Sequence, residues 1–259
     1  MSEPPLQQAG PEDPSESDVP LRRVPWTFPD SLFVLGLWIL FLGVFVGYLI
    51  YPLLLQVTDA EMAQAVQLPI SSGLLILVSI AYVNRRYPGA ARRLFGERRV
   101  ELADVGWGLL AGVVALAVFA FGLGWILGRL ADLLDQDLPT VQEDFRQLAG
   151  NPRAVPFLIL GAGLFAPIAE EVLYRGMMFA ALRKRLPVWP AAGISGLIFG
   201  VTHFESSLDG YLLVLLVVTP LGMFLAFLYE WRRTLLVPIL AHAVFNLPQV
   251  WQLVYEASR

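Results

Sequence analysis

Three ionisable side chains lie within one long apolar run of the sequence. Glu170, Glu171 and Arg175 fall inside residues 155–182, which otherwise have the composition of a membrane-crossing segment. Near the centre of a membrane helix, each ionisable group costs about 2.5–3.5 kcal/mol. Glu171 and Arg175 are four residues apart and share a helix face, where an ion pair offsets part of that cost. Glu170 points about 100° away and has no cation at the same spacing.

Both histidines of the chain also lie in apolar runs. His203 follows Phe199 by four residues and His242 precedes Asn246 by four, so each pair shares one face of a helix. A single histidine in such a run is equally well explained by a hydrogen bond between helices. Two histidines together with paired glutamates instead indicate a functional polar site inside the membrane.

The depths of these side chains can be compared from the boundaries of the runs. At about 1.5 Å per helical residue, they lie roughly 20, 25, 12 and 18 Å from the basic end of their helices. These depths belong, in order, to Glu170, His203, His242 and Asn246. All four fall in one middle band, so the sequence predicts that they converge on one polar cavity.

The elements that position these residues must be membrane helices. The chain has 259 residues, of which 56% are hydrophobic and 15% are charged. A soluble domain is about 45–50% apolar and about 25% charged, so this composition excludes an ordinary soluble domain. The net charge of −4 provides no basic surface for nucleic acid. The absence of cysteine excludes disulfides and thiolate metal sites.

Seven apolar stretches are long enough, or nearly so, to cross a hydrocarbon core of about 30 Å. They cover residues 31–56, 67–84, 104–130, 155–182, 187–206, 210–229 and 234–255. Backbone groups in lipid have no partners outside a helix, so we expect an all-α, polytopic membrane bundle over residues 31–255. Its chemistry-bearing core is residues 155–255. Residues 1–30, rich in proline and acidic residues, are predicted to form a disordered cytosolic tail.

The loops and the small residues give further expectations about the bundle. Basic and acidic loops alternate along the chain, which predicts a cytosolic N-terminus and an external C-terminus. Glycines four residues apart suit close helix packing. Such pairs are Gly43 and Gly47, Gly108 and Gly112, Gly124 and Gly128, and Gly196 and Gly200.

The polar residues resemble three motifs of a known family. They match, in chain order, E-E-x-x-x-R at Glu170–Arg175, F-x-x-x-H at Phe199–His203 and H-x-x-x-N at His242–Asn246. Each motif lies on its own predicted helix. Together they resemble the CAAX-processing and bacteriocin-processing (CPBP, or Abi) intramembrane endopeptidases, which include type II CAAX prenyl endopeptidases. The resemblance implies an all-helical, multi-pass protein of a prokaryotic cell membrane that hydrolyses a peptide bond.

The resemblance also implies a role for each matched residue. Glu170 would be the general base that activates water with help from His203. The oxyanion would be stabilised by His242 and Asn246, and the Glu171–Arg175 pair would orient the motif. These roles agree with elementary chemistry, because a carboxylate removed from water is a stronger base and fixed donors stabilise a developing oxyanion. The substrate would be a hydrophobic or lipidated protein segment, of which a prenylated CAAX sequence is one case.

The same side chains leave the question of a metal open. Glu170, His203 and His242 form a chemically suitable three-ligand zinc set with an open position for water. The sequence lacks H-E-x-x-H, the local histidine pair of helical zinc proteases. We therefore favour a glutamate mechanism with no obligatory metal and keep zinc as the alternative.

Three other functions compete with this interpretation. Gly193, Ser195 and Gly196 resemble the G-x-S-G of rhomboid serine proteases, with His242 as the partner of Ser195, but this leaves Glu170 without a role. A transporter would also place ionisable residues in the membrane, yet it predicts matching broken helices that the sequence lacks. A non-catalytic membrane scaffold or bacteriocin-immunity protein would keep the motifs without hydrolysis.

Overall fold

The computed structural model describes residues 24–133, 135, 143–203 and 208–259, most of which are helical. The helices are α1 (Phe28–Leu54), α2 (Ala60–Arg86), α3 (Leu102–Leu133), α4 (Glu143–Ala149), α5 (Val155–Leu182), α6 (Val188–Val201), α7 (Leu208–Arg232) and α8 (Leu236–Ala257). A short 3₁₀ turn, Ala91–Phe95, lies between α2 and α3. Among the described residues, β-type pairing is limited to an isolated antiparallel bridge between Gly96 and Thr234.

The predicted polytopic helical bundle is confirmed, since each of the seven apolar stretches falls on a helix. Five helices, α1, α2, α3, α5 and α7, are long and apolar enough to cross a membrane. Helix α6 is apolar but has only 14 residues, about 21 Å, because the chain turns after Val201. Helix α8 has 22 residues and carries several polar side chains. The chain is an integral, multi-pass membrane protein, and the count of seven crossings stays a prediction.

The start of the bundle differs from the predicted tail. Residues 1–23 lie outside the described residues, but Val24 and Trp26 are buried in the core. The indole Nε1 of Trp26 donates to the carbonyl of Met177 at 3.1 Å, which gives a buried aromatic its hydrogen-bond partner. Helix α1 then begins at Phe28 after a capping box at Thr27. The tail boundary predicted at residue 30 is therefore too late.

Polar contacts join the loops at both ends of the bundle. At the end where α2 leads into α3, the fully buried Asp104 accepts hydrogen bonds from Arg98 at 2.5 Å and Arg232 at 2.8 Å. The bond to Asp104 raises the pKa of the Arg98 guanidinium, which therefore stays charged. At the start of α2, Asn151 donates to Glu61 at 2.9 Å. The basic loops predicted to share one side thus meet at one end, and the assignment of that end to the cytosol stays a prediction.

Helix α5 forms the centre of the bundle. Every side chain from Glu171 to Leu182 is buried. Around it, several glycines allow close helix packing, of which two are examples. A Cβ on Gly108 of α3 would lie 2.7 Å from Cβ of Leu240 on α8, and one on Gly196 of α6 would lie 2.8 Å from Cγ of Met223 on α7. These close contacts hold α3 against α8 and α6 against α7.

Candidate active site

The acidic motif lies where α5 departs from α-helical geometry. Two segments of α5 are π-helical, Gly161–Phe165 and Glu171–Phe179, and Glu170 ends the short α-helical stretch between them. Pro167 has no N–H, so the carbonyl five residues before it, at Ala162, lacks a π-helical partner. Asn246 of α8 supplies one, because its Nδ2 donates to that carbonyl at 2.9 Å. Wide helical turns of this kind are frequent at functional sites.

A buried ion pair holds the histidine of α8. Glu171 Oε1 accepts a hydrogen bond from Arg175 Nη1 at 2.7 Å and lies 3.0 Å from His242 Nδ1. Arg175 Nη2 also donates to the carbonyl of Gly222 at 2.9 Å and so ties α5 to α7. Glu171 and Arg175 are both fully buried, so each charge needs the other. Because an ionised carboxylate can only accept, the proton of this contact belongs on His242 Nδ1.

Glu170 faces both histidines. Its Oε2 is 3.7 Å from His242 Nε2 and 3.9 Å from His203 Nε2. The two glutamates predicted to point in different directions therefore approach His242 from its two ring nitrogens. Both distances exceed those of a direct hydrogen bond and leave room for a bridging water. A water about 2.8 Å from both Glu170 and His203 fits this separation.

Phe199 contacts the Arg175 guanidinium and both imidazoles. Its carbonyl lies 2.7 Å from His203 Nδ1, and a carbonyl can only accept, so this nitrogen carries the proton and Nε2 keeps a lone pair. Its ring makes edge contacts with His203 and His242, with centroids 4.5 and 5.7 Å away. The Arg175 guanidinium lies 4.5 Å from the ring centroid. The sequence identified Phe199 by its spacing to His203 alone and gave no sign of these contacts.

Four of the six sequence-predicted site residues line one cavity of about 260 Å³, namely Glu170, His203, His242 and Asn246. The other two, Glu171 and Arg175, are buried behind it. The rhomboid-type alternative finds no support, because Ser195 is fully buried, donates to the carbonyl of Tyr174 at 3.0 Å and does not line the cavity.

A second, larger cavity adjoins the first. It has a volume of about 510 Å³ and lies among α3, α7 and α8. Phe145, His203 and Phe245 line both cavities, so the space in front of the imidazole continues from one to the other. Phe121, which lines the second cavity, is 64% exposed on the outer face of α3. The second cavity therefore has an exposed apolar side chain in its lining and meets the polar site at His203.

The donor atoms for a metal are present, but their spacing is wide. Glu170, His203 and His242 turn Oε2, Nε2 and Nε2 toward one another. In the described part of the chain, no three histidine, aspartate or glutamate side chains have the spacing of a metal site. As placed, these residues do not fit a zinc site.

Comparison with known proteins agrees with this arrangement. Residues 152–248, which include all six site residues, match the family model of Rce1-like type II CAAX prenyl endopeptidases. The family resemblance predicted from the motifs is confirmed. A Bacillus subtilis (strain 168) protein named "Putative membrane peptidase YdiL" is 28% identical over 192 residues, 74% of this chain and 73% of YdiL. The "Uncharacterized protein YpbD" of the same bacterium is 34% identical over 109 residues, 42% of this chain and 52% of YpbD.

No solved structure gave a significant match to the chain. The comparisons support a membrane protease in general, and the bacterial relatives point to a prokaryotic cell membrane.

Proposed function

We propose that this chain is an intramembrane endopeptidase that hydrolyses a peptide bond of a hydrophobic or prenylated, CAAX-type membrane-associated substrate. Glu170 activates the attacking water. The observation that carries the proposal is the position of Glu170 Oε2, 3.7 and 3.9 Å from two imidazole Nε2 atoms in one cavity. The likeness of residues 152–248 to Rce1-like endopeptidases supports the same reaction.

The attack begins with a water between Glu170 and His203. The water donates one hydrogen bond to the carboxylate and one to the His203 Nε2 lone pair, which leaves an oxygen lone pair for the substrate carbonyl. As the new C–O bond forms, Glu170 takes the proton of the water. When the C–N bond breaks, Glu170 returns that proton to the leaving amine. The carboxylate is then restored for the next turnover.

The tetrahedral intermediate carries a negative charge on the former carbonyl oxygen. Asn246 has one N–H engaged with Ala162, and its second N–H is available in the cavity to stabilise this charge. His242 donates from Nε2 when both of its ring nitrogens carry protons. The Glu171 carboxylate holds the other edge of this ring at Nδ1 and so fixes its orientation. The oxyanion site is thus built from α8 and supported by α5.

The second cavity supports a hydrophobic substrate. Its lining is mainly apolar, and it shares His203 with the polar cavity. A hydrophobic segment or a lipid group placed there would leave an adjacent peptide bond beside Glu170. The printed name of the relative, "Putative membrane peptidase YdiL", supports peptide hydrolysis by a membrane protein.

The test of the proposed function is a direct assay of cleavage. The purified protein in detergent is incubated with a prenylated CAAX peptide and, separately, with the same peptide lacking the prenyl group. The products are identified by mass spectrometry. We expect one new peptide terminus in the prenylated peptide, or in both peptides if hydrophobicity alone suffices. Absence of cleavage in both peptides and in a hydrophobic transmembrane peptide would contradict the proposal and favour a scaffold.

Replacement of the oxyanion donors is expected to lower turnover with little effect on binding. His242→Ala and Asn246→Ala should each reduce kcat by about 10²–10³, with KM nearly unchanged. His203→Ala should nearly abolish turnover because it misplaces the water. Since His242 and Asn246 act on one oxyanion, their double variant should lose less than the product of the two single losses. Steady-state kinetics would contradict this scheme if the two losses multiplied fully.

Metal removal is expected to leave the reaction intact. Prolonged chelation followed by elemental analysis should yield a metal-depleted protein that still cleaves the peptide. The opposite result is about one zinc per chain, lost in step with activity and restored with it on adding zinc back. In that case Glu170, His203 and His242 would be ligands, and each alanine variant would lose metal and activity together.

A further inference from the structure

Two hydroxyl groups form a hydrogen-bonded chain behind His203. The Tyr174 hydroxyl lies 2.6 Å from Thr202 Oγ1, and Thr202 Oγ1 donates to the carbonyl of Phe199 at 2.9 Å. The direction of the chain follows from its end, because a carbonyl can only accept. The single hydroxyl proton of Thr202 is donated to the Phe199 carbonyl, so the hydroxyl of Tyr174 must donate to Thr202. The chain therefore runs from α5 to the last turn of α6.

The same carbonyl holds the catalytic imidazole. Phe199 lies near the end of α6, where helix carbonyls lack main-chain partners. Its oxygen accepts from the Thr202 hydroxyl and from His203 Nδ1, which is 2.7 Å away. With the proton on Nδ1, Nε2 presents its lone pair toward Glu170. If the ring exchanged its proton to Nε2, it would no longer accept from the water.

The chain also sets the distance between two helices. Tyr174 follows Glu170 by four residues on α5, and Thr202 directly precedes His203 after α6. The ring of Tyr174 is 2% exposed and packs edge-on against Phe199, with centroids 5.0 Å apart. A direct hydrogen bond between the hydroxyls therefore fixes the two segments that carry the base and its imidazole partner.

We propose that Tyr174 and Thr202 are positioning residues that hold His203, through the Phe199 carbonyl, with its proton on Nδ1 and its lone pair toward the attacking water. The proposal rests on the proposed function of Glu170 and His203. Neither residue touches the substrate. Both act by fixing the tautomer and the direction of the imidazole that accepts a hydrogen bond from the attacking water.

Kinetic measurements with conservative variants test the role of the hydroxyls. Thr202→Val and Tyr174→Phe remove a hydroxyl and nearly conserve volume, and each should lower kcat about tenfold with KM unchanged. Thr202→Ser keeps the hydroxyl and should restore most of the lost kcat. Ser79→Ala, which removes a buried hydroxyl bonded to Leu75 on α2, is the matched control and should leave kcat unchanged.

Nitrogen NMR supplies a readout that does not depend on activity. The chain has two histidines, so a ¹⁵N-histidine-labelled sample gives two imidazoles, and a His242→Ala sample assigns them. His203 should show a protonated Nδ1 and an unprotonated Nε2, and the two resonances should move toward each other in Thr202→Val and Tyr174→Phe. Unchanged His203 resonances in both variants would overturn the proposal, whatever their kcat.

The failure of the proposed function would look different. If Glu170→Gln hydrolysed the peptide at the normal rate, the mechanism would be wrong, while the His203 resonances would still report the tautomer. If Glu170→Gln were inactive and both hydroxyl variants had normal kcat, the positioning proposal alone would be wrong. Melting temperatures close to that of the unchanged protein ensure that a loss of kcat reflects the site.

Discussion

Replacing Glu170 with glutamine should lower the rate of peptide hydrolysis by about two to four orders of magnitude. Glutamine keeps the shape and volume of the side chain but cannot take a proton from water. Its amide nitrogen would also be unable to accept a hydrogen bond from the water or from His242 Nε2, as a carboxylate oxygen can. The measurement is kcat on the cleaved peptide, together with the melting temperature of the variant in detergent.

Two controls separate this effect from general damage. Glu256→Gln makes the same chemical change at an exposed carboxylate near the end of α8 and should leave the rate unchanged. Ser195→Ala removes a hydroxyl that bonds the Tyr174 carbonyl and should have little effect. An active Glu170→Gln together with an inactive Ser195→Ala would contradict the glutamate mechanism and support serine chemistry.

Replacing Arg175 with methionine should destabilise the folded protein by about 3–5 kcal/mol. The change leaves Glu171 as a fully buried charge without its cation and frees the Gly222 carbonyl. Because Glu171 also holds His242, the remaining folded protein should have little activity. Thermal or denaturant unfolding in detergent gives the stability, and the peptide assay gives the activity.

A double variant distinguishes the two consequences. Adding Glu171→Gln to Arg175→Met removes the uncompensated charge, so much of the lost stability should return. Activity should stay low, because glutamine does not fix His242 as the carboxylate does. A single Arg175→Met variant as stable as the unchanged protein would contradict the buried ion pair. Recovery of activity in the double variant would contradict its role in orienting His242.

Much of the bundle could be predicted from hydrophobicity. The apolar stretches are continuous, and lipid permits a spanning backbone few conformations other than a helix. Prediction was weaker where the outcome depends on partners distant in sequence. Trp26 lies in a polar, proline-rich stretch, yet it packs in the core because the carbonyl of Met177 accepts its N–H. No local pattern predicts that contact, so the tail predicted from the sequence extends too far along the chain.

Glycine spacing shows the same limit. Gly108 and Gly196 both lie where another helix passes too close for a side chain, as the spacing predicts. Gly47 and Gly124 have equivalent spacing, but a Cβ on either would meet no atom of another helix within 4 Å. A small-residue pair permits close approach without requiring it. Whether a partner helix is present depends on the fold as a whole.

The candidate site was predictable as a set of residues but not as a geometry. Helical depth alone placed Glu170, His203, His242 and Asn246 in one band, and they line one cavity. The approach of both glutamates to His242 could not be derived from an ideal α-helix, because α5 becomes π-helical at Glu171. Propensity and hydrophobic period carry almost no signal for such a change. The nearest signal in the sequence is Pro167, which has no N–H to donate to the preceding turn of α5.

The π-helical turns of α5 have a consequence for how the length of this chain can vary. A π-helical turn holds about one residue more than an α-helical turn. Tightening one turn of Glu171–Phe179 to α-helical geometry with no residue removed would therefore rotate all preceding residues by about 100° relative to those that follow. Glu170 would turn away from His242 even though every catalytic side chain were still encoded. An exchange of one apolar residue for another in this segment changes packing only. Closing one of these wide turns could absorb the deletion of a single residue, whereas an inserted residue has no extra turn to fill, so we expect insertions here to be less tolerated than substitutions.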